Sequence, residues 1–304
     1  MVLTGESVPE SWDVDVNVVR GDIAEPAVVD RAVIGVDAIF HLAAVVGDWG
    51  PEALFRRVTV DGTRHLLTAA GKHGSRVVLA SSIVVYGDRL GRQCCDEDTP
   101  HGRPYGPYSR SKQAQEVLAR ERIDQGVDIR IVRPANVFGA GSRNWVDEAI
   151  RVLRSGAPSL VGGGGQDAGL VHVDNVVDIM LRAASGRASA GAIYNACDES
   201  GVSWRRYFTD LAVIAGAAAP RSVPAWLAWP LAGVMERIRR LTRSRRRPAL
   251  TREAINLISS NHLLPAGRAR EQLGHKSLVD YETAMAGIAD YVHRAGSGSV
   301  TLQE

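Results

Sequence analysis

From Asp13 to Asp128, short β-branched runs alternate with longer stretches of helical spacing, and that alternation leaves few folds open. Strands that follow one another through crossover helices must lie parallel in one sheet, with the helices on its faces. The strand candidates are Val14–Val19, Ala38–Leu42, Val77–Ser81 and Ile129–Val132. Between them, Pro51–His73 sets Leu54, Val58, Leu66, Leu67 and Ala70 at helical spacing, and Tyr108–Gln125 does the same with Ala114, Val117 and Leu118. The expectation is an α/β chain with a doubly wound parallel sheet. Beyond Gly139 the rhythm changes to a helix near Asn144–Ser155, the glycine run Gly162–Gly165, a strand-to-helix passage over residues 170–180, a strand Ala192–Asn195, and helices thereafter.

The chain has 304 residues, 45% apolar and 23% charged, enough to bury a large core. A formal charge of only +2 gives no reason to expect a nucleic-acid partner. Cys94, Cys95 and Cys197 have neither a disulfide framework nor metal-ligand spacing, so no metal is expected and a cytoplasmic location fits best. No leader pattern opens the chain, and no apolar run approaches the roughly 18 residues of a spanning helix.

Tyr108 and Lys112 lie four apart on an expected helix and project from one face. A free phenol titrates near about 10, and a neighbouring ammonium favours the phenolate, so the pair suits general acid/base work. By itself the spacing is common on solvated helices. Upstream, an apolar run ends in Ser81-Ser82, which sets a hydroxyl at the carboxyl end of a parallel strand, where such sheets bind ligands.

In order along the chain come Gly21-Asp22-Ile23, His41–Ala44, Ser81–Gly87, Tyr108–Lys112, Arg133–Gly139, Val171–Val177 and Tyr194–Ser200. With these motifs the chain resembles the extended short-chain dehydrogenases of the NAD-dependent epimerase/dehydratase family, from about Val16 almost to its end. The resemblance implies a Rossmann sheet that binds NAD or NADP, NAD slightly favoured, with residues 1–157 as the dinucleotide-binding domain. Residues 158–304 would mainly cover the substrate, with 170–196 returning to the sheet. It further implies Tyr108 as acid/base, Lys112 as its partner and ribose anchor, and Ser82 as the hydroxyl that orients substrate. Asp22 and Ile23 would meet the adenine, and Leu42, Ala43 and Ala44 would pass under the dinucleotide. Pro134 and Val137 would border the nicotinamide, and Asn136 would touch substrate. Family dimers through Pro51–His73 and Tyr108–Gln125 make a homodimer the expectation.

Two departures stand out. The family's first strand and its G-x-x-G-x-x-G turn, which receives the pyrophosphate on a helix N-terminus, have no counterpart in the sequence. The run Val14–Val19 then matches the third strand of the usual sheet, and residues 1–4 the end of the second. The expectation is a chain incomplete at its N-terminus, whose sheet is split where the first strand would lie. The second departure is Thr59, where the family usually has asparagine; threonine lacks the amide's paired donor and acceptor.

Dehydration of a sugar needs a further acid and base, whereas Ser82 is followed by Ile83 and Val84. Nucleotide-sugar epimerases place an arginine where this chain has Ala168, although Arg133, Arg143 or the later cluster can substitute. The C-terminal third resembles the 3β-hydroxysteroid dehydrogenase and flavonoid-reductase branch. The expected reaction is interconversion of a secondary alcohol and a ketone on a small apolar substrate. The alternatives are a nucleotide-sugar epimerase using NAD, and a cofactor-deficient regulatory or scaffold homologue. Trp226, Leu227, Trp229, Leu231 and Val234, with Met235 as filler, form either an apolar wall over the pocket or ordinary core. Seven arginines from Arg237 to Arg247 form either a solvated face or a contact with an anionic membrane. His172 reads as structural, with Asp174 and Asn175 capping the helix that follows.

Overall fold

The computed structural model describes residues 2–4, 16–242 and 246–297. Val14 and Asp15 of the first expected strand, Arg243 and Arg245, and residues 298–300 of the C-terminal GSGSV run lie outside the described residues. The chain opens with β1 (Val2–Thr4), β2 (Val18–Arg20), α1 (Pro26–Val33), β3 (Ala38–His41), α2 (Glu52–Phe55), α3 (Gly62–His73) and β4 (Arg76–Ala80). Next come α4 (Pro107–Asp124), β5 (Ile129–Pro134), β6 (Asn136–Phe138), α5 (Glu148–Arg154), β7 (Leu160–Val161), β8 (Leu170–His172), α6 (Val173–Ala184) and β9 (Ile193–Ala196). It closes with α7 (Trp204–Ala215), β10 (Ser222–Val223), α8 (Ala225–Leu241), α9 (Arg252–Ser259), α10 (Gly267–Leu273) and α11 (Tyr281–Ser297).

The central sheet runs β3-β4-β5-β9, all parallel, with Ala38 opposite Arg76, Val77 opposite Ile129 and Ile131 opposite Ile193. Alternation along β4 explains why it sits in the middle. Val77 and Leu79 pack with Val29, Leu66, Leu67, Ala70 and Ala119 on one face, and Val78 packs with Val132, Val176, Ile179 and Met180 on the other. A strand buried on both faces needs this near-continuous apolar run.

The sheet is split, as expected. β1 pairs in parallel with β2, and among the described residues no ladder joins that pair to β3. Helix packing makes the connection instead, through Val29 and Val33 of α1 against Leu66, Leu67 and Ala70 of α3. The free edge of β3 leaves Phe40 40% exposed and Leu42 beyond it 64% exposed.

The expected strands recur with small shifts, since polar sheet ends are decided by pairing rather than by side-chain pattern. Residues 52–73 form one rod from α2 through the wider turns of Arg56–Asp61 into α3. A second apolar cluster gathers Phe138, Leu153, Trp204, Tyr207, Leu211 and Ile288 between α5, α7 and α11.

Candidate active site

β4 ends where Ser81 and Ser82 emerge at the carboxyl edge of the sheet. Ser82 has extended backbone and caps the tight turn that follows, its Oγ accepting from the Val84 N–H at 3.4 Å. Helix α4 begins across from it, so Tyr108 falls in the first turn and Lys112 one turn on. The Ser82 hydroxyl lies near enough to the Tyr108 phenol to lower its pKa, and the Lys112 ammonium lies 5.9 Å from the Tyr108 ring centroid. The structure thus brings Ser82, Tyr108 and Lys112 together from two elements.

Lys112 is buried and donates from Nζ to the Ala80 carbonyl at 2.7 Å and to Gln115 Oε1 at 3.0 Å. Burial pushes its pKa down to about 8, against the opposing charge of Glu116. For Tyr108 the expected lowering is overturned: burial pushes the phenol up to about 12, the nearby Ser82 hydroxyl opposes this, and the Glu253 charge adds to it. With its protons turned toward backbone and amide oxygens, Lys112 is not among the groups that lower Tyr108.

Behind the lysine runs a buried polar chain. Gln115 Nε2 donates to Thr63 Oγ1 at 2.8 Å, which donates in turn to the Thr59 carbonyl at 2.5 Å. His41 Nε2 meets the same Thr63 oxygen at 2.8 Å; burial, with the Lys112 charge, lowers the imidazole to about 3, so it is neutral. Thr59 is fully buried, and its Oγ1 accepts from the Val45 N–H at 3.0 Å, fixing the turn after β3.

One helical turn beyond Lys112, the fully buried Glu116 takes a bidentate pair from Arg133 at 2.9 and 2.8 Å, with Ser81 and His101 as further partners. Burial alone would raise its pKa, but the hydrogen bonds from Arg133 and His101 and the charge of Arg133 hold it at about 2. Arg133 therefore cannot stand in for a phosphate-binding arginine, because it is 0% exposed and committed to Glu116. Asn136 is buried, and its amide donates to the Ala168 carbonyl at 2.7 Å, tying β6 to the segment before β8.

The expected cofactor contacts lie past the ends of β2 and β3, at the end of β5 and on β6. Asp22 sits just past β2, accepting from the Ala24 N–H at 2.9 Å and from Arg57 at 2.6 Å, which hold its carboxyl below the usual range. Its remaining lone pairs can accept an adenine amino group. Ile23 packs against Gly62 at the start of α3, Leu42 and Ala43 are exposed, and Ala44 is half-buried. Pro134 is buried at the end of β5, and Val137 is half-buried on β6. Lys112 spends two of its three protons within the protein and keeps one for a ribose hydroxyl. These residues fit the adenine and nicotinamide-ribose ends of a dinucleotide, while no G-x-x-G-x-x-G turn occurs in the 304 residues to meet its pyrophosphate.

A groove of about 450 Å³, lined by Arg92, Arg103, Tyr105, Trp229 and Asn256 among others, includes none of Ser82, Tyr108 and Lys112 in its lining. Tyr105 and Trp229 meet there with ring centroids 5.1 Å apart. Of the expected apolar wall only Trp229 lines this groove; Trp226, Leu227, Leu231 and Val234 face solvent. His172 caps α6, its Nδ1 accepting from the Asp174 N–H at 3.3 Å, while Asn175 ties that helix to Ser277 and Val279.

Sequence reading missed Gln115, Glu116 and Glu253. The first two could have been found three and four residues beyond Lys112, on the buried face of the same helix. Glu253 lies 144 residues from its partner Ser109, and no local pattern marks it.

Over 288 residues the chain is 28% identical to the 2-alkyl-3-oxoalkanoate reductase of Stenotrophomonas maltophilia, covering 91% of this chain and 87% of that protein. It is 33% identical to an undecaprenol-linked N-acetylglucosaminyl 4-epimerase of Escherichia coli O157:H7, over 59% of this chain and 55% of the epimerase. Among solved structures, a double mutant of the dTDP-glucose 4,6-dehydratase DesIV from Streptomyces venezuelae, with NAD bound, superposes with a TM-score of 0.71 at 25% identity, covering 92% of this chain and 80% of that one. The family model for the NAD dependent epimerase/dehydratase family matches residues 3–197, and the chain belongs to that enzyme family.

Proposed function

We propose that this protein is an NAD(H)-dependent ketoreductase that interconverts a ketone and a secondary alcohol. The observation that carries this reading is the Ser82 hydroxyl beside the Tyr108 phenol, with the buried, non-titratable Ile83 and Val84 following Ser82. Such a site holds one acid/base and one orienting hydroxyl, which a carbonyl reduction needs, and lacks the second acid and base of an elimination. The extent of similarity supports the same reading. The reductase relative matches 91% of the chain, including the part that would cover substrate, and the epimerase relative matches 59%.

NAD, which Asp22 and Lys112 would hold at its adenine and nicotinamide-ribose ends, would supply the hydride donor or acceptor for the carbinol carbon. Ser82 donates to the substrate carbonyl oxygen and holds it against the Tyr108 phenol. Tyr108 keeps its proton at neutral pH and hands it to that oxygen as negative charge develops. Lys112, positioned by Gln115 and the Ala80 carbonyl, keeps its third proton for a hydroxyl of the nicotinamide ribose and so holds the cofactor beside the phenol. On this reading residues 158–304 mainly cover the substrate. The reductase relative suggests a 3-oxo acid or a comparable ketone.

The test is product analysis with NADH or NADPH, offering 2-alkyl-3-oxo acids, cyclic ketones and nucleotide sugars. Loss of nicotinamide absorbance matched by alcohol formed is the expected result. Inversion of a sugar carbon without net change in the cofactor would replace this reading with an epimerase.

A further inference from the structure

Three arginines meet at the groove of about 450 Å³, and its lining includes no aspartate or glutamate. Arg92 and Arg103 come from the connection between β4 and α4, and Arg252 from the first turn of α9. Two of the three have acids outside the groove. Arg252 donates from Nε and Nη2 to Glu236 Oε2 at 3.0 and 2.9 Å, which fixes the guanidinium and leaves the Nη1 protons for another acceptor. The Arg103 Nε lies 3.9 Å from Asp88, beyond hydrogen-bond reach, and its guanidinium is 5.7 Å from the Tyr105 ring centroid. Arg92 is exposed and has no ion-pair partner among the described residues. Guanidinium groups gathered at a wall without acids create a positive potential that an anion relieves.

The remaining wall supplies a ring platform and fixed polar groups. Tyr105 and Trp229, with ring centroids 5.1 Å apart, present aromatic surface beside Arg103. Asn256 and Ser260 are buried and held from behind. The Asn256 amide donates to the Gly87 carbonyl at 2.9 Å, and the Ser260 hydroxyl to the Leu90 carbonyl at 3.2 Å. Tyr105 and Asn256 also line a second cavity of about 10 Å³, room for one water, together with Glu253. There the Glu253 Oε2 is buried without a hydrogen-bond partner among the described residues. An orphaned buried oxygen of this kind calls for a partner brought from outside the chain.

We propose that this groove binds a small organic anion, with a flat ring against Tyr105 and Trp229 and a carboxylate or phosphate on Arg92, Arg103 and Arg252. The volume falls within the roughly 300–1,000 Å³ of small-molecule sites. The planar fork of arginine meets two oxygens of either head group at once. A cation would be repelled by the three guanidinium groups, and a neutral ligand would leave them unmatched. One water at the inner end of the groove would join the ligand to Glu253. Ser82, Tyr108 and Lys112 do not line the groove, so its occupation does not rest on the ketoreductase reading.

Calorimetric titration of the full chain with phenyl phosphate, benzoate, inorganic phosphate and benzyl alcohol tests the proposal. Saturable binding of an aryl anion is the expected result, with inorganic phosphate and benzyl alcohol each at least about tenfold weaker. The tighter of phenyl phosphate and benzoate identifies the head group. Arg92→Ala and Arg103→Ala should each weaken that probe by about tenfold or more. Both side chains are exposed, so the thermal melts of the variants without probe should match the parent. No saturable binding of either aryl anion, or binding unchanged by both substitutions, would overturn the proposal. Benzyl alcohol or inorganic phosphate binding as tightly as the aryl anions would overturn it too, the first by removing the need for charge and the second by removing the need for a ring. Turnover plays no part in these readouts, so a failed ketone assay leaves them standing.

Discussion

Glu253 accepts a hydrogen bond from the Ser109 backbone N–H at 2.8 Å, 144 residues away in sequence, and by doing so caps the helix that carries Tyr108. The residue in the capping position is Gly106, which has no side chain to offer; a Cβ there would lie 1.5 Å from Glu253 Oε2. The cap is thus supplied in trans, from α9, and both the glycine and the carboxyl are required by the fit.

Replacing Glu253 by alanine removes that acceptor, and a stability loss of about 1–2 kcal/mol is expected. Gly106→Ser in the same background returns an acceptor in cis and should recover most of it, since the Gly106 backbone is extended and the clash with Glu253 is gone. Urea denaturation of the single and double variants checks both.

Burial pushes the Glu253 carboxyl up to about 8 from its ordinary 4.5; the Ser109 N–H opposes this, and the Asp48 charge adds to it. The folded chain therefore binds this proton more tightly than the unfolded chain does. This contribution to stability is fully present below the unfolded pKa and is lost as pH rises through about 8. Denaturation midpoints of the parent should fall across that window relative to those of Glu253→Gln, which has no group to titrate.

Tyr108→Phe should lower ketone reduction by about 10²–10⁴-fold, the usual worth of a positioned acid. The thermal melt should hold, because the ring and its packing remain. With the phenol held at about 12 in the free chain, alcohol oxidation should rise with pH across the alkaline range in the parent and stay flat in the variant. Steady-state rates in both directions would show it.

Glu116→Gln breaks a fully buried bidentate pair and leaves Arg133 uncompensated, for an expected loss of about 3–5 kcal/mol. The folded Glu116 sits at about 2, so its stabilisation is present above the unfolded carboxylate pKa and is lost as pH falls through about 2. Acid titration of the parent, followed by circular dichroism, should include this transition.

Thr59→Val keeps the shape but leaves the Val45 N–H without its acceptor. A cost of about 1–3 kcal/mol is expected. The turn over residues 42–46 should gain hydrogen exchange, and the affinity for NADH should fall if that turn passes under the dinucleotide.

Much of the fold was legible because its signals are local. The apolar run of β4 and the helical spacing of 52–73 reflect burial periods that each segment shows by itself, and the order of elements then implies parallel pairing. The split sheet was legible as well, since the motifs fixed which strand each segment matched. Tyr108 and Lys112 could be paired because they share a helix, and Ser82 because it ends a strand.

The sequence by itself determined the parallel sheet, the placing of Ser82, Tyr108 and Lys112 at its carboxyl edge, and the basic apolar character of residues 225–247. Only the tertiary structure decided that Arg133 serves Glu116, that the Asn136 amide donates to Ala168, that burial raises Tyr108, and that α8 turns six apolar side chains outward. The division is physical. Periodicity records which residues are apolar along one element, whereas a pKa, a trans cap or an exposed stripe depends on what a distant segment brings up against it.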